Sequence, residues 1–335
     1  MNVTDAWLFG GAVRFEDYSD FGNTVNFKLD TRYKLTKQLS LRGSASTGFR
    51  APSLAQIHYN LIFNNFVAGE SLPSLLASNT STVTRAFGIG PLQEEKSLNL
   101  SAGFTLNLSD FLATVDFYSI DVDDRIVLTD NFDASGLGLG VDVAQFFANG
   151  VDTRTQGVDI VLGYRHVFNK SSLNINLAAN FNNLDINKIH NDTLNVYTFF
   201  GPFSQAYLKA AAPDYKIALS GIYSWKKLEF GLYLTQFSEV IIQDFQWVQT
   251  PATTPDEAEE LYGKATDTYK QKLVTDITLG YQFNKNWKLN VGVSNLFNVY
   301  PTPQFDSWTD QGGFNDSVQM GSDGSYYFAR MGFNF

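Results

Sequence analysis

The chain has 335 residues, a formal net charge of -10 and no cysteine. The acidic balance argues against a protein that binds nucleic-acid phosphates, and the absence of cysteine excludes disulfides, thiolate metal sites and cysteine nucleophiles. No segment approaches the roughly 18 consecutive apolar residues of a transmembrane helix, which excludes a helical membrane protein.

Alternating apolar and polar residues predict about twelve β-strands along the chain. In chain order, the predicted apolar faces run over residues 7–15, 25–35, 39–41, 98–106, 111–117, 158–164, 173–181, 215–223, 228–234, 273–283, 287–293 and 327–335. Segments of this length and period are typical of an all-β transmembrane antiparallel up-and-down β-barrel, with one face toward lipid and the other toward a wet lumen. Charge ladders across the barrel wall are expected among the lumen-facing residues Lys28, Arg32, Arg42, Asp116, Asp159, Arg165 and Asp276.

The connections between the predicted strands alternate in length. Tight turns are predicted at 36–38, 108–110, 169–171, 226–227 and 284–286, and long loops at 49–93, 126–150, 184–213, 245–270 and 298–324. Short turns on one side and long loops on the other indicate an outer-membrane barrel. Within one long loop, residues 255–260 predict a short acidic helix capped near Thr254 or Asp256.

The last predicted strand, residues 325–335, is amphipathic and ends on Phe335. An unprotected strand edge invites aggregation, so such a strand indicates a closed barrel. It also resembles the assembly signal of bacterial outer-membrane barrels, which implies the barrel-assembly machinery as a partner. Aromatic residues make up 15% of the chain, and those beside the tight turns and the terminus predict a girdle at one membrane interface.

Four segments, at 14–24, 41–54, 91–104 and 291–301, resemble the C-terminal half of TonB-dependent outer-membrane receptors. The second carries Gly-Phe-Arg-Ala-Pro at 48–52, where a strand runs into a loop, and the fourth carries Asn-Leu-Phe-Asn at 295–298. The third departs from the family pattern, since Asn-Pro-x-Leu is reduced to Gly90, Pro91 and Leu92.

The resemblance implies that residues 1–335 form the C-terminal portion of a 22-stranded barrel domain, with the plug domain and the signal peptide outside this chain. It implies the outer membrane of a Gram-negative bacterium, surrounding lipid, and the TonB complex as a partner through the missing plug domain. The expected function is TonB-energised uptake of a scarce small-molecule ligand, with a ferric siderophore or similar chelate as the expected cargo.

Loop residues are the candidate ligand contacts. Arg50 either contacts an anionic ligand or the plug, or is tied structurally to lumen carboxylates and carbonyls. The other candidates are the loop aromatics Tyr59, Phe199, Trp247 and Trp308. Loops rich in aromatic residues and poor in cations suit a planar or sugar-like ligand about as well as a catecholate chelate.

Catalytic, cofactor and metal sites are not predicted. Glu94 and Glu95 are adjacent on a predicted strand and point to opposite faces, so they do not form a catalytic pair. The three histidines have no metal-site spacing, and the resemblance leaves His58 as the single candidate haem ligand. Two alternatives remain open: a passive porin or adhesin barrel, and a soluble carbohydrate-active β-protein.

Overall fold

The computed structural model describes residues 4–18, 22–67, 70–138, 140–243, 252–263, 266–304, 313–315 and 320–334. Within them, strands β1 to β17 are Trp7–Tyr18, Gly22–Lys34, Leu39–Arg50, Leu61–Val67, Glu70–Ala77, Glu95–Asn107, Phe111–Leu128, Phe132–Asp133, Val143–Val167, Ser171–Ile189, Tyr215–Trp225, Leu228–Phe237, Val240–Gln243, Thr266–Tyr269, Lys272–Gln282, Trp287–Ser294 and Tyr326–Phe333. Helices α1 to α5 are Leu54–His58, Thr82–Ala86, Val196–Phe199, Pro202–Ala210 and Pro255–Tyr262. Among these described helices, none combines the length and the apolar character needed to cross a membrane.

Twelve strands form one antiparallel sheet in the order β1-β2-β3-β6-β7-β9-β10-β11-β12-β15-β16-β17. Each strand on this path pairs with the one before it, which is the predicted up-and-down wall. Over the described residues β1 pairs only with β2 and β17 only with β16, so the sheet is open between its two outer strands. The strand count, the direction and the order confirm the predicted half-barrel.

The tight turns all lie at one end of the sheet, here called the turn end. Side chains close two of them: the Thr36 hydroxyl accepts from the Leu39 N–H at 2.9 Å, and Asn284 Oδ1 accepts from the Trp287 N–H at 3.1 Å. Lys226 has a φ of 52°, the left-handed conformation that a two-residue hairpin turn requires. The opposite end, here called the loop end, carries the long connections.

One face of the sheet is a continuous apolar band. Directly opposed residues of an antiparallel pair lie on the same face, and the predicted apolar positions oppose one another from strand to strand. One row across five strands consists of Leu41, Phe104, Val115, Ile160 and Ala179. Members of the band are well exposed, Val13 at 77% and Phe117 at 59%. Such a surface matches the lipid-facing side of an outer-membrane barrel.

The other face is polar and is cross-linked between strands that are not neighbours. Arg42 on β3 and Asp116 on β7 lie on either side of Gly103 in β6. Arg42 Nε donates to Asp116 Oδ1 at 2.6 Å, so these two of the predicted lumen-facing charges form an ion pair. A Cβ atom at position 103 would lie 2.3 Å from that carboxylate oxygen, so glycine leaves the space through which the two side chains meet.

The long loops differ from the prediction, because they contain secondary structure of their own. β7, β9 and β10 continue well beyond their predicted apolar faces, to lengths of 18, 25 and 19 residues. Strict alternation marks a strand whose two faces have an apolar and a polar environment, and these extensions lie past the apolar band. The predicted acidic helix is confirmed as α5, where the Thr254 hydroxyl accepts from the Glu257 N–H at 3.3 Å.

The apolar band predicts opposite tolerance at two adjacent positions of β11. Leu219 lies between Leu177 and Leu234 on the apolar face, whereas Ser220 lies on the polar face. We expect Leu219→Arg to lower the free energy of unfolding by about 2–4 kcal/mol, as a cation placed among lipid tails does, and Ser220→Arg to lower it by less than about 1 kcal/mol. Denaturant titration of the full-length gene product in lipid vesicles measures both, and equal losses would contradict the assignment of the faces.

Candidate ligand-binding face

Past the apolar band, the outer face of the sheet becomes charged. On β7, Phe117 is followed on the same face by Ser119 and then Asp121. Asp121 Oδ1 accepts from Arg154 Nε of β9 at 2.6 Å. Charged side chains on the lipid side of a barrel are costly near the bilayer midplane and cheap at its edge. The extensions of β7, β9 and β10 therefore stand in water at the loop end.

These extensions and the neighbouring loops pack around a hydrophobic core of their own. We call residues 51–67, 70–94, 129–138, 140–151 and 190–210 the loop cap. Phe146 of β9 is 0% exposed at the centre of this core. Its ring lies 5.0 Å from Phe87 and 5.6 Å from Phe132, measured between ring centroids. The long loops thus form a packed layer with a defined shape at the loop end.

Asn79 ties one loop of the cap to the sheet. Its buried side-chain amide donates to the carbonyls of Gly90 and Phe147 at 3.1 and 3.2 Å, and its Oδ1 accepts from the Leu92 N–H at 3.1 Å. Nearby, β5 pairs in parallel with the first residues of β9. One side chain therefore pairs with three backbone groups, one of which belongs to β9.

Asp130 holds the start of α4. The helix begins after Gly201, which offers no capping side chain, and Asp130 Oδ2 accepts from the Gly201 N–H at 2.9 Å. The Ser204 hydroxyl also donates to the Asp130 carboxylate. A carboxylate from another segment thus caps the positive end of the helix. Burial raises the pKa of Asp130 to about 6, although the hydrogen bonds from Ser204 and Gly201 oppose the shift.

A cavity of about 580 Å³ lies between α4, β13 and α5. Its volume falls within the usual range for small-molecule sites. Lys209 is the cation among its described lining residues, against the carboxylates of Asp214, Glu239 and Glu259. Tyr197 and two glutamines add hydrogen-bonding groups to the lining. The cavity therefore suits a polar ligand with a neutral or positive surface better than a strongly anionic one.

The structure supports the structural alternative for Arg50. Its Nε donates to Glu95 Oε2 at 2.7 Å, and Glu95 Oε1 accepts from the Ile126 N–H at 2.7 Å. Glu95 is only 7% exposed, so its charge needs the arginine as a partner. This network joins β3, β6 and β7 where they enter the loop cap. Half of the Arg50 side chain, 50%, stays exposed.

The other predicted ligand contacts differ in how exposed their side chains are. Tyr59 follows α1 and is 49% exposed, so its ring is accessible. Phe199 is 3% exposed and belongs to the core of the loop cap, so it offers a ligand little surface in this conformation, although it borders a cavity beside His190. Trp247 and Trp308 lie outside the described residues.

Sequence reasoning missed three side chains that meet at the loop end. Asp124, Asp152 and His190 each offer one donor atom, and the three atoms lie within 4.8 Å of one another. Asp124 lies on β7, Asp152 lies on β9, and His190 directly follows β10. These three strands become neighbours only in the sheet. The spacing of histidines along the chain does not report such a meeting. The run of aspartates at 121, 123 and 124 is the local signal that was available.

The family model "TonB dependent receptor-like, beta-barrel" matches residues 1–296. The chain therefore belongs to the TonB-dependent receptor family, as the resemblance of its motifs implied. A segment of 53 residues is 34% identical to the vitamin B12 transporter BtuB of Photobacterium profundum, and covers 16% of this chain and 9% of that transporter.

Solved receptors share the fold. The siderophore receptor PirA of Acinetobacter baumannii has a TM-score of 0.65 at 21% identity, over 100% of this chain and 44% of the receptor. A mutant of the ferric enterobactin receptor PfeA of Pseudomonas aeruginosa has a TM-score of 0.64 at 14% identity, over 98% of this chain and 43% of the receptor. The chain thus spans less than half the length of these receptors.

The core of the loop cap predicts a localised effect of one aromatic deletion. We expect Phe146→Ala to destabilise the cap by about 3–5 kcal/mol, because it leaves a cavity between Phe87 and Phe132. Ile62→Ala, at a position of the same cap that is 58% exposed, is the control and should cost less than about 0.5 kcal/mol. Limited proteolysis of the full-length gene product should cut residues 51–94 faster only in the first variant. Identical cleavage rates would contradict a packed cap.

Asp130 predicts a pH dependence of the cap. Its pKa is about 6 in the folded protein, against an ordinary value of 3.8. The folded state therefore binds the proton more tightly, so the contribution to stability is complete below about pH 4 and is lost as the pH rises through about 6. The loss is on the order of 3 kcal/mol.

We expect Asp130→Asn to abolish this pH dependence, since the amide stays neutral and still offers an oxygen to the Gly201 N–H. Hydrogen exchange of the α4 amides between pH 4 and 8 measures the effect. Asp133→Asn is the control, because that exposed carboxylate lies close by without touching α4. An unchanged pH profile in Asp130→Asn would refute the role of Asp130.

Proposed function

We propose that this chain forms part of the wall and of the extracellular loops of an outer-membrane transporter that takes up a scarce ligand with energy from TonB. The observation that carries the proposal is a continuous apolar band on one face of the sheet, combined with a folded loop cap at one end. Membership of the TonB-dependent receptor family supports it. The proposed activity is transport and not catalysis.

In this proposal the apolar band contacts the lipid of a Gram-negative outer membrane, and the loop cap faces the outside. A plug domain outside residues 1–335 would make the contact with TonB. The barrel-assembly machinery would recognise the last strand, β17, together with the C-terminal residues up to Phe335, which itself lies outside the described ranges. Ligand would bind first to the loops and then pass the plug when TonB acts on it.

The proposed ligand is a ferric siderophore or a similar chelate. PirA and PfeA are siderophore and ferric enterobactin receptors, and this supports the class. The cavity between α4, β13 and α5 narrows the choice of ligand, because its described lining residues include three carboxylates and one lysine. A chelate with a neutral or positive outer surface, bound by hydrogen bonds to Tyr197 and the glutamines, fits this lining better than a catecholate chelate of high negative charge.

We expect a strain that lacks the gene to lose growth on one ferric siderophore of low negative charge, and to grow normally on cobalamin and on glycans. Loss of TonB should produce the same defect, because the proposed uptake needs its energy. Growth on single iron, cobalamin and glycan sources measures this. Uptake that persists without TonB would instead favour a passive porin, and a defect confined to a glycan or to cobalamin would reject the siderophore.

A bulky substitution in the cavity tests the proposed site. Ala206 of α4 lines the cavity, so Ala206→Trp should lower uptake at least about 10-fold by filling the space of the ligand. Leu261→Trp is the matched control, because Leu261 is 38% exposed on α5 and does not line the cavity. Wild-type uptake by Ala206→Trp would refute the cavity as the site while leaving the transport proposal to the growth assays.

A further inference from the structure

We propose that Asp124, Asp152 and His190 bind a divalent transition-metal ion, with Zn²⁺ as the reference ion. The site lies at the loop end, where β7, β9 and β10 leave the apolar band. It is separate from the cavity between α4, β13 and α5, and it does not depend on the proposed transport activity.

The donor atoms are close enough for one ion. A carboxylate oxygen of Asp124, one of Asp152 and a ring nitrogen of His190 lie within 4.8 Å of one another. A zinc ion about 2.0–2.2 Å from each ligand holds its ligand atoms roughly 3–3.5 Å apart. The three donors therefore need only small side-chain rotations to close on an ion.

Two irregular strands bring the donors together around Asp152. β9 lies between β7 and β10, and both neighbours shift register at this level. In β7 the shift falls between Val122 and Arg125, so that Asp124 is an extra residue opposite Asp152. β-Bulges of this kind redirect side chains and occur often beside functional sites. The two bulges lie level with each other on either side of Asp152. They bring Asp124 and His190 close enough to Asp152 to share one ligand.

The ligands are held in place by the protein itself. Asp152 Oδ1 accepts from the Asp124 N–H at 3.0 Å and lies 2.7 Å from His190 Nε2. The His190 N–H donates to the carbonyl of Gly150 at 2.8 Å, which fixes the histidine backbone against β9. An ion bound between Asp152 and His190 would replace their side-chain contact, whereas the backbone hydrogen bonds of Asp124 and His190 would remain. The three donors are thus already neighbours without an ion.

An open cavity of about 390 Å³ gives access to the donors. Asp124 and His190 line it, together with Asn149 and Asp192. The Asn149 side chain donates to the Asp124 carbonyl at 2.7 Å and supports the bulge. Water from this cavity can complete the coordination of an ion, and the ion can enter and leave through it.

The imidazole decides the class of ion. Mg²⁺ and Ca²⁺ prefer sites made of oxygen alone, whereas zinc, nickel and copper accept imidazole nitrogen together with carboxylates. Two carboxylates balance the charge of a divalent ion, and one neutral imidazole adds the nitrogen donor. The histidine distinguishes this set from a cluster of carboxylates alone, because its nitrogen favours a transition metal over Mg²⁺ or Ca²⁺.

Zn²⁺ binding to the full-length gene product, purified in detergent and stripped with a chelator, tests the site. We expect one Zn²⁺ per chain at this position by calorimetry and metal analysis, and at least about 10-fold weaker binding in His190→Ala and in Asp152→Asn. His166→Ala is the matched control. His166 is the other histidine paired with an aspartate, its Nδ1 lying 2.5 Å from Asp110 Oδ2 at the turn end, and its loss should leave binding unchanged.

Electron paramagnetic resonance with Cu²⁺ as the probe provides a second readout that does not depend on stability. We expect nitrogen coupling from one imidazole in the wild type and in His166→Ala, and its loss in His190→Ala. Equal Zn²⁺ affinity in wild type and His190→Ala would overturn the proposal. So would Ca²⁺ binding that is at least as tight as Zn²⁺ binding and is indifferent to His190→Ala.

Discussion

The structure depends on one interaction, the backbone hydrogen-bond ladder between antiparallel neighbours. In lipid an unpaired N–H or C=O group costs several kcal/mol, so every strand of the wall needs a partner on each side. This requirement produces the up-and-down order of the twelve strands. It also sends alternate side chains to lipid and to the lumen. Over the described residues β1 and β17 each have a partner strand on one side only, and the chain spans 44% of a solved receptor of this fold.

The same ladder supports the loop cap. β7, β9 and β10 stay paired after they leave the apolar band, and they carry Phe146 and Asp152 to fixed heights above it. Beyond the apolar band the side chains of these strands no longer have to be apolar on one face, so they can form other contacts. Phe146 lies at the centre of a hydrophobic core. Glu95 and Arg50 join three strands, and Asp152 lies beside Asp124 and His190. Binding residues are often found on loops that a scaffold of this kind positions.

Much of the wall was predictable from local pattern, and the sites were not. The apolar positions of β6 and β10, the turn at 108–110 and the capped helix after Thr254 follow from residues a few positions apart. Arg50 was found, but its partner Glu95 was considered only as half of a carboxylate pair. Phe199 was assigned to ligand contact because aromatic loop residues often bind ligands, yet it packs inside the cap. Asp130 and His190 carry no local signal of what they touch.

The amino-acid sequence by itself determined the strands, their faces and the end at which the tight turns lie. A period of two and a turn motif are local properties, and lipid on one side enforces them at every strand. Only the tertiary structure decided which loops pack together, that Asp130 caps α4, and that Asp124, Asp152 and His190 meet. These contacts join residues from different strands and loops. The register of the sheet and two bulges in it determine which residues meet. The spacing of residues within one segment reveals neither the register nor the bulges.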